Sequence, residues 1–96
     1  MATSWAVSIP DDVVFEVLEG EAVVLNLDTG IYFTLNPVGT RIWELIEEHG
    51  DLAKVRDAMI SEYEVGEETL DRDIEALMRE LVEKGLVLST PEGEKL

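Results

Sequence analysis

The tripeptide Asp28-Thr29-Gly30, preceded by Leu27, is the short motif in this 96-residue sequence that most directly suggests chemistry. Aspartic proteases use such a motif to bring together two carboxylates, one from each subunit, which share a proton and activate a water molecule. A protease subunit of this size is almost entirely β-structure, whereas the residues from Pro37 onward have helical periodicity. Asp and Gly are also ordinary hairpin-turn residues. We therefore interpret the tripeptide as a turn.

Other residues that could support catalysis or hold a cofactor are scarce. The single histidine, His49, lies at a predicted helix end, where its contact with the helix dipole is favourable. The absence of cysteine excludes disulfides, Cys-ligated zinc, iron–sulfur clusters and thiol catalysis. No Gly-rich phosphate loop or nucleophile elbow is present. The sequence predicts a protein that is not an enzyme, with no catalytic residue, metal site or cofactor.

The charge balance restricts the class of partner. The formal net charge is −15, from 22 acidic and 7 basic side chains. Such a field repels nucleic acids and anionic membranes and favours basic peptides, although it can also serve solubility alone. Residues Met1 to Pro10 contain no signal peptide, and no apolar run is long enough to span a membrane. We expect a cytoplasmic monomer that binds neither nucleic acid nor membrane.

The first half of the sequence alternates as three short strands. They are predicted over Val13–Leu18, Ala22–Leu27 and Ile31–Leu35, and the turns between them are short. Three strands joined by tight turns form an antiparallel meander, so the middle strand is central and both outer strands are edges.

The second half is helical. Asn36-Pro37 predicts a helix start, His49-Gly50 a helix end, and Asp51 the cap of a second helix. A third helix, about Glu67 to Lys84, precedes Gly85. Its apolar stripe is Leu70, Ile74, Leu77, Met78, Leu81 and Val82.

These elements predict an α+β fold of three antiparallel strands followed by three helices, similar to a winged helix-turn-helix. We place a flexible N-terminal arm at residues 1–12, the domain at 13–88 and a C-terminal tail at 89–96. A winged-helix transcription regulator is the alternative function. It would need Lys and Arg along its third helix, which here carries mostly acidic side chains.

The third strand is a candidate docking site for an extended chain. Ile31 to Leu35 is apolar and aromatic and contains no Pro, Lys or Gly. An uncovered edge of this kind offers unpaired backbone groups to another strand. The alternative is that the strand is ordinary core, covered by the Met1–Pro10 arm or by the third helix.

The run from Leu25 to Asn36, followed by Val38-Gly39 and Arg41-Ile42-Trp43-Glu44-Leu45, closely resembles the PqqD-like family. So does the later pattern of Asp73-Ile74, Leu77, Leu81 and Gly85-Leu86-Val87. The resemblance covers about Val13 to Leu88. It implies a non-catalytic peptide chaperone, a recognition element for ribosomally made precursor peptides, whose partners are the leader of such a peptide and a modifying enzyme. That enzyme is a radical SAM enzyme or a leader protease, as in pyrroloquinoline quinone or lasso-peptide maturation.

The resemblance also implies where the leader binds: as a further strand beside the third strand, in a groove closed by the third helix. Asp73 matches the family pattern, Leu77 is an equally plausible core residue, and Glu80 is inferred from spacing and charge. The peptide-binding residues expected in this sequence are Ile31, Tyr32, Phe33, Thr34, Leu35, Asp73, Leu77 and Glu80.

Overall fold

The computed structural model describes residues 5–19, 21–64 and 66–91. In chain order its elements are β1 (Trp5–Ser8), β2 (Val13–Leu18), β3 (Glu21–Asn26), β4 (Tyr32–Leu35), α1 (Pro37–His49), α2 (Leu52–Glu62), α3 (Glu67–Glu83) and β5 (Leu88–Pro91). The predicted α+β class, with a three-stranded antiparallel sheet and three helices, is confirmed.

The main sheet has the order β2-β3-β4, so β3 is central as predicted. Val24 lies opposite Phe15 on one side and Phe33 on the other. Because side chains alternate along a strand, these three share the face that packs on the helices. The turn between β2 and β3 was predicted over residues 19–21, of which Gly20 lies outside the described residues.

Helix ends follow the local chemistry that the sequence predicts. The side chain of Asn36 accepts a hydrogen bond from the Gly39 N–H at 2.8 Å, and Pro37 occupies the first turn of α1. Gly50 ends α1 in the left-handed region, with φ of 66°. The Asp51 side chain then caps α2 by accepting from the Ala53 N–H at 2.8 Å.

One core joins the sheet to the helices. Trp43 of α1 is fully buried and stacks on Phe15 with ring centroids 5.8 Å apart. Val82, which the pattern placed in the apolar stripe of the third helix, is 45% exposed. The buried apolar residues are Val7, Ala22, Val24, Leu35, Ile42, Trp43, Leu45, Ile46, Val55, Met59, Leu70, Ile74, Met78, Leu81, Leu86 and Val87.

The chain ends differ from expectation. Residues 5–8, predicted as part of an arm, form β1 and pair antiparallel with β5. Val7 is buried, and its N–H donates to the Gly50 carbonyl at 3.0 Å. β1 and β5 are held together by backbone hydrogen bonds between segments that are far apart in the sequence. A run of only four residues gives no sequence signal for such pairing. Residues 1–4 of the predicted arm and 92–96 of the predicted tail lie outside the described residues.

Candidate functional site

The outer edge of β4 is open in the described part of the chain, where only β3 pairs with this strand. The Asn26 N–H donates to the Ile31 carbonyl at 2.9 Å, and this bond identifies which residues of β4 direct their backbone groups toward β3. Bonded pairs alternate in an antiparallel sheet, so Phe33 bonds toward β3 while Tyr32 and Thr34 direct their backbone groups outward. β1, the described part of the predicted arm, pairs with β5 and leaves this edge uncovered.

The side chains of β4 and the preceding residue divide between core and solvent. Leu35 is buried at 1% exposure, so only its backbone is accessible. Phe33 is half-buried on the helix-facing side and packs against the core. Thr34 is exposed, and Ile31 and Tyr32 are 42% and 65% exposed. Four of the five predicted strand residues therefore have accessible side chains.

The hairpin before β4 is held by Asn26, which sequence analysis did not single out. Its side-chain oxygen accepts from the N–H groups of Asp28 at 2.8 Å and Thr29 at 3.1 Å. Its side-chain nitrogen donates to the Gly85 carbonyl at 3.0 Å, just beyond α3. The Asp28-Thr29-Gly30 tripeptide is a turn, as predicted, with Gly30 at φ of 79°. An Asn two residues before the turn Asp was the available signal, because Asx side chains commonly bond local backbone.

Helix α3 has a buried stripe and two flanks. The flank carrying Glu67 and Asp71 lies against α2, where Arg56 donates to Asp71 and forms an ion pair with Glu67 at 3.1 Å. The opposite flank is defined by residues at spacings of four, three and four, which share a helical face. We call this set the β4-facing flank of α3. It consists of Asp73, Leu77, Glu80 and Lys84.

The position of Lys84 shows that this flank faces β4. Its ammonium nitrogen lies 5.5 Å from the centroid of the Phe33 ring, a cation–π contact between the end of α3 and β4. Phe33 and Lys84 therefore lie together at one end of the candidate groove predicted between β4 and α3. Sequence analysis placed Lys84 only at the end of the third helix, since its contact with Phe33 depends on tertiary packing.

The predicted flank residues have different surroundings. Leu77 is half-buried and packs against the core, so it is both a core residue and part of the groove surface. Glu80 is exposed and forms an ion pair with Lys84 at 3.0 Å. Asp73 is exposed, and within the described residues it forms no ion pair or side-chain hydrogen bond.

Shifted pKa values occur away from the groove. The Arg41 guanidinium donates to both oxygens of Glu62, at 2.8 and 2.6 Å, and these bonds lower the pKa of Glu62. The same bonds, with one to Glu44, raise the pKa of Arg41. The contact joins α1 to α2. Its role is to hold two helices together.

The residues of the candidate groove include outward backbone groups on β4, one aromatic ring and charges of both signs. Strand addition uses features of these kinds. Across residues 5–19, 21–64 and 66–91, no three His, Asp or Glu side chains are grouped so that they could hold a metal ion. Over the same ranges, none of the helices combines the length and apolarity needed to cross a membrane.

Comparisons with known proteins agree on one family. The family model described as coenzyme PQQ synthesis protein D (PqqD) matches residues 21–87. A solved structure described as TbiB1 in complex with the TbiA(beta) leader peptide is 39% identical, with a TM-score of 0.76, covering 93% of this chain and 99% of that one. A second, lasso peptide synthetase B1 complexed with the leader peptide, is 28% identical, with a TM-score of 0.70, covering 86% and 98%. Curated protein sequences give no match.

Proposed function

The chain belongs to the PqqD family, and from this premise we propose that it binds the leader of a ribosomally made precursor peptide and presents it to a modifying enzyme. The leader adds as a strand on the outer edge of β4, in the groove facing α3. The chain itself contributes recognition, and the chemistry belongs to its partner.

One observation carries this proposal: among the residues that the structure describes, no second strand pairs with the outer edge of β4, which lies beside the Lys84 end of α3. Strand addition gives affinity through main-chain hydrogen bonds and specificity through pockets for alternate side chains. Tyr32 and Thr34 supply the outward backbone groups. The two solved relatives support the proposal, because each is described as a complex with a leader peptide.

The predicted flank residues have separate roles in this proposal. Leu77 and Phe33 form an apolar surface for one inward-facing side chain of the leader. Asp73 attracts a basic leader residue. Exposed ion pairs contribute only about 0–1 kcal/mol. This carboxylate therefore contributes more to the choice of leader and to its association rate than to affinity.

The descriptions of the relatives support two candidate partner enzymes. The family description points to coenzyme PQQ synthesis, while one solved relative is described as a lasso peptide synthetase component. We propose a lasso-type leader protease and cyclase as the recipient of the bound peptide, with a radical SAM enzyme as the second possibility. Sequencing the genes beside this one for a short precursor gene and either enzyme distinguishes the two.

A strand-edge substitution tests the binding mode. Thr34→Pro removes an outward N–H while leaving the bonds to β3 in place, because that N–H points away from β3. Fluorescence anisotropy measures binding of labelled leader peptides, those encoded beside this gene and the TbiA(beta) leader. We expect Thr34→Pro to weaken binding about tenfold or more, since it loses a hydrogen bond and adds a ring at the contact.

The matched control is Val17→Pro on the opposite edge of the sheet, whose N–H also points outward. It should bind the peptides as the wild type does. Asp73→Lys should weaken binding of basic leaders and leave melting temperature unchanged. Equal binding by Thr34→Pro and wild type, with both folded by circular dichroism, would contradict strand addition on β4. Failure of every leader to bind wild type would contradict the proposed function itself.

A further inference from the structure

The groove between β4 and the β4-facing flank of α3 has different charges at its two ends. At one end Lys84 lies over the Phe33 ring at 5.5 Å and is paired with Glu80 at 3.0 Å. Gly85, the next residue, bonds Asn26 at 3.0 Å, so this end adjoins the β3–β4 hairpin. Asp73 lies eleven residues earlier along α3, with an exposed carboxylate. One end is therefore cationic with a compensating acid, and the other is anionic.

The Lys84 ammonium occupies a specific place relative to an added strand. A peptide paired with the outward groups of Tyr32 and Thr34 has one residue opposite Phe33. The side chain of that residue projects to the same face of the sheet as the Phe33 ring, toward α3. It therefore enters the space beside the Lys84 ammonium. A Lys or Arg at this peptide position would meet a like charge.

We infer that Lys84 sets the register of the bound leader by excluding cationic side chains from the position opposite Phe33 and leaving Asp73 as the place where a basic residue binds. This inference rests on the proposed function and adds a specificity determinant to it. The need for exclusion comes from the rest of the molecule: at a net charge of −15, basic leader residues are attracted to many sites. Specificity under such conditions requires a repulsive element as well as an attractive one.

The helix geometry predicts the spacing between the two positions. Eleven residues at about 1.5 Å per residue separate Lys84 from Asp73 by about 16 Å. An extended peptide covers that distance in about five residues at about 3.3 Å each. Since side chains on one face of a strand recur every two residues, the basic residue should lie about four or six positions from the residue opposite Phe33.

A lysine scan tests the inference. The probe is the leader that binds wild type most tightly among those named above, resynthesised with one lysine moved through each position. For wild type we expect one position where lysine weakens binding roughly two- to fivefold relative to alanine, and an optimum about four or six residues away. Lys84→Met keeps most of the side-chain length and removes the charge, so it should abolish the weak position.

Two further variants separate the local effect from net charge. Lys54→Met, on exposed α2 surface, makes the same change in net charge and should keep the wild-type profile. Glu80→Gln leaves the Lys84 ammonium without its partner and should deepen the penalty. A lysine profile identical in wild type and Lys84→Met, with binding intact, overturns the inference alone, as does equal loss of the weak position in Lys54→Met. Absence of binding by any leader overturns the inference together with the proposed function.

Discussion

The two outer strands of the sheet, β2 and β4, pair with the same central strand but differ in what lies behind their aromatic residues. Phe15 of β2 stacks on Trp43, which has no exposed surface. Phe33 of β4 lies beneath the Lys84 ammonium, whose side chain is 32% exposed. A fully buried indole occupies the space behind Phe15. The lysine beside Phe33 is partly exposed, so a bound strand can reach this ring and the ammonium next to it.

The backbones of the two edges differ as well. At the start of β2 the Val13 N–H already donates to the Pro10 carbonyl at 3.0 Å. Glu16 is exposed in the middle of β2, and a charged residue on an edge strand discourages pairing with another chain. β4 contains no charged residue. The protein thus protects one edge against strand addition and leaves the other accessible.

The largest expected effect comes from removing the support behind β2. Trp43→Ala should lower the free energy of unfolding by about 3–5 kcal/mol, because it leaves a large cavity in the core. Phe33→Ala is the matched change behind β4 and should cost only about 1–2 kcal/mol, since the ring is half-buried. Urea unfolding followed by circular dichroism measures both values.

Leader binding should invert this order. The folded fraction of Trp43→Ala should bind leader peptide with wild-type affinity, whereas Phe33→Ala should bind more weakly because it removes part of the groove surface. Equal losses of affinity in the two variants would show that the edges are not specialised. A larger stability loss in Phe33→Ala than in Trp43→Ala would contradict the conclusion that the buried aromatic contact lies behind β2 and not behind β4.

A smaller effect on stability is expected for Asn26, whose side chain links the β3–β4 hairpin to the residue just after α3. Asn26→Ala removes one bond to Gly85 and two to turn N–H groups, and the residue is only 7% exposed. We expect a loss of about 2–3 kcal/mol, because three part-buried hydrogen bonds are lost, and weaker leader binding. Asn36→Ala, which removes an exposed helix cap, should cost about 1 kcal/mol and leave binding unchanged. Equal binding by both variants would contradict the role of Asn26 in shaping the groove.

Much of the fold could be predicted from the sequence, because its signals are local. The strand alternation, the cap at Asn36 and the left-handed Gly50 each depend on neighbours a few residues away. The pairing of β1 with β5 could not be predicted, since it joins residues at least 80 positions apart through backbone groups, which are the same for every residue type. Neither segment has the length or alternation that identifies a strand.

The candidate site likewise has features that the local sequence predicts and features that depend on tertiary contacts. The edge strand from Ile31 to Leu35 and the spacing of Asp73 and Leu77 on one helix face follow from periodicity. Which flank of α3 faces β4 depends on tertiary contacts, and two ion pairs involving Arg56 and one ring contact of Lys84 determine it. Glu80, inferred from spacing and charge as a peptide-binding residue, has its carboxylate paired with Lys84 one turn away. Its contact with the leader stays a prediction.

The smallest effect on stability is expected for Glu62, whose ion pair with Arg41 is remote from both sheet edges. The bonds from Arg41 hold the pKa of Glu62 below its ordinary value, so the folded state binds this proton less tightly than the unfolded state does. Their contribution to stability is therefore complete above the ordinary Glu pKa of about 4.3 and is lost as pH falls through the lowered value. Glu62→Gln should slightly lower the melting temperature at pH 7, and the difference from wild type should vanish towards pH 3. Its leader binding should match wild type at neutral pH. If Glu62→Gln changed the lysine profile, register would depend on overall charge, and the contrast between the two edges would lose its electrostatic part.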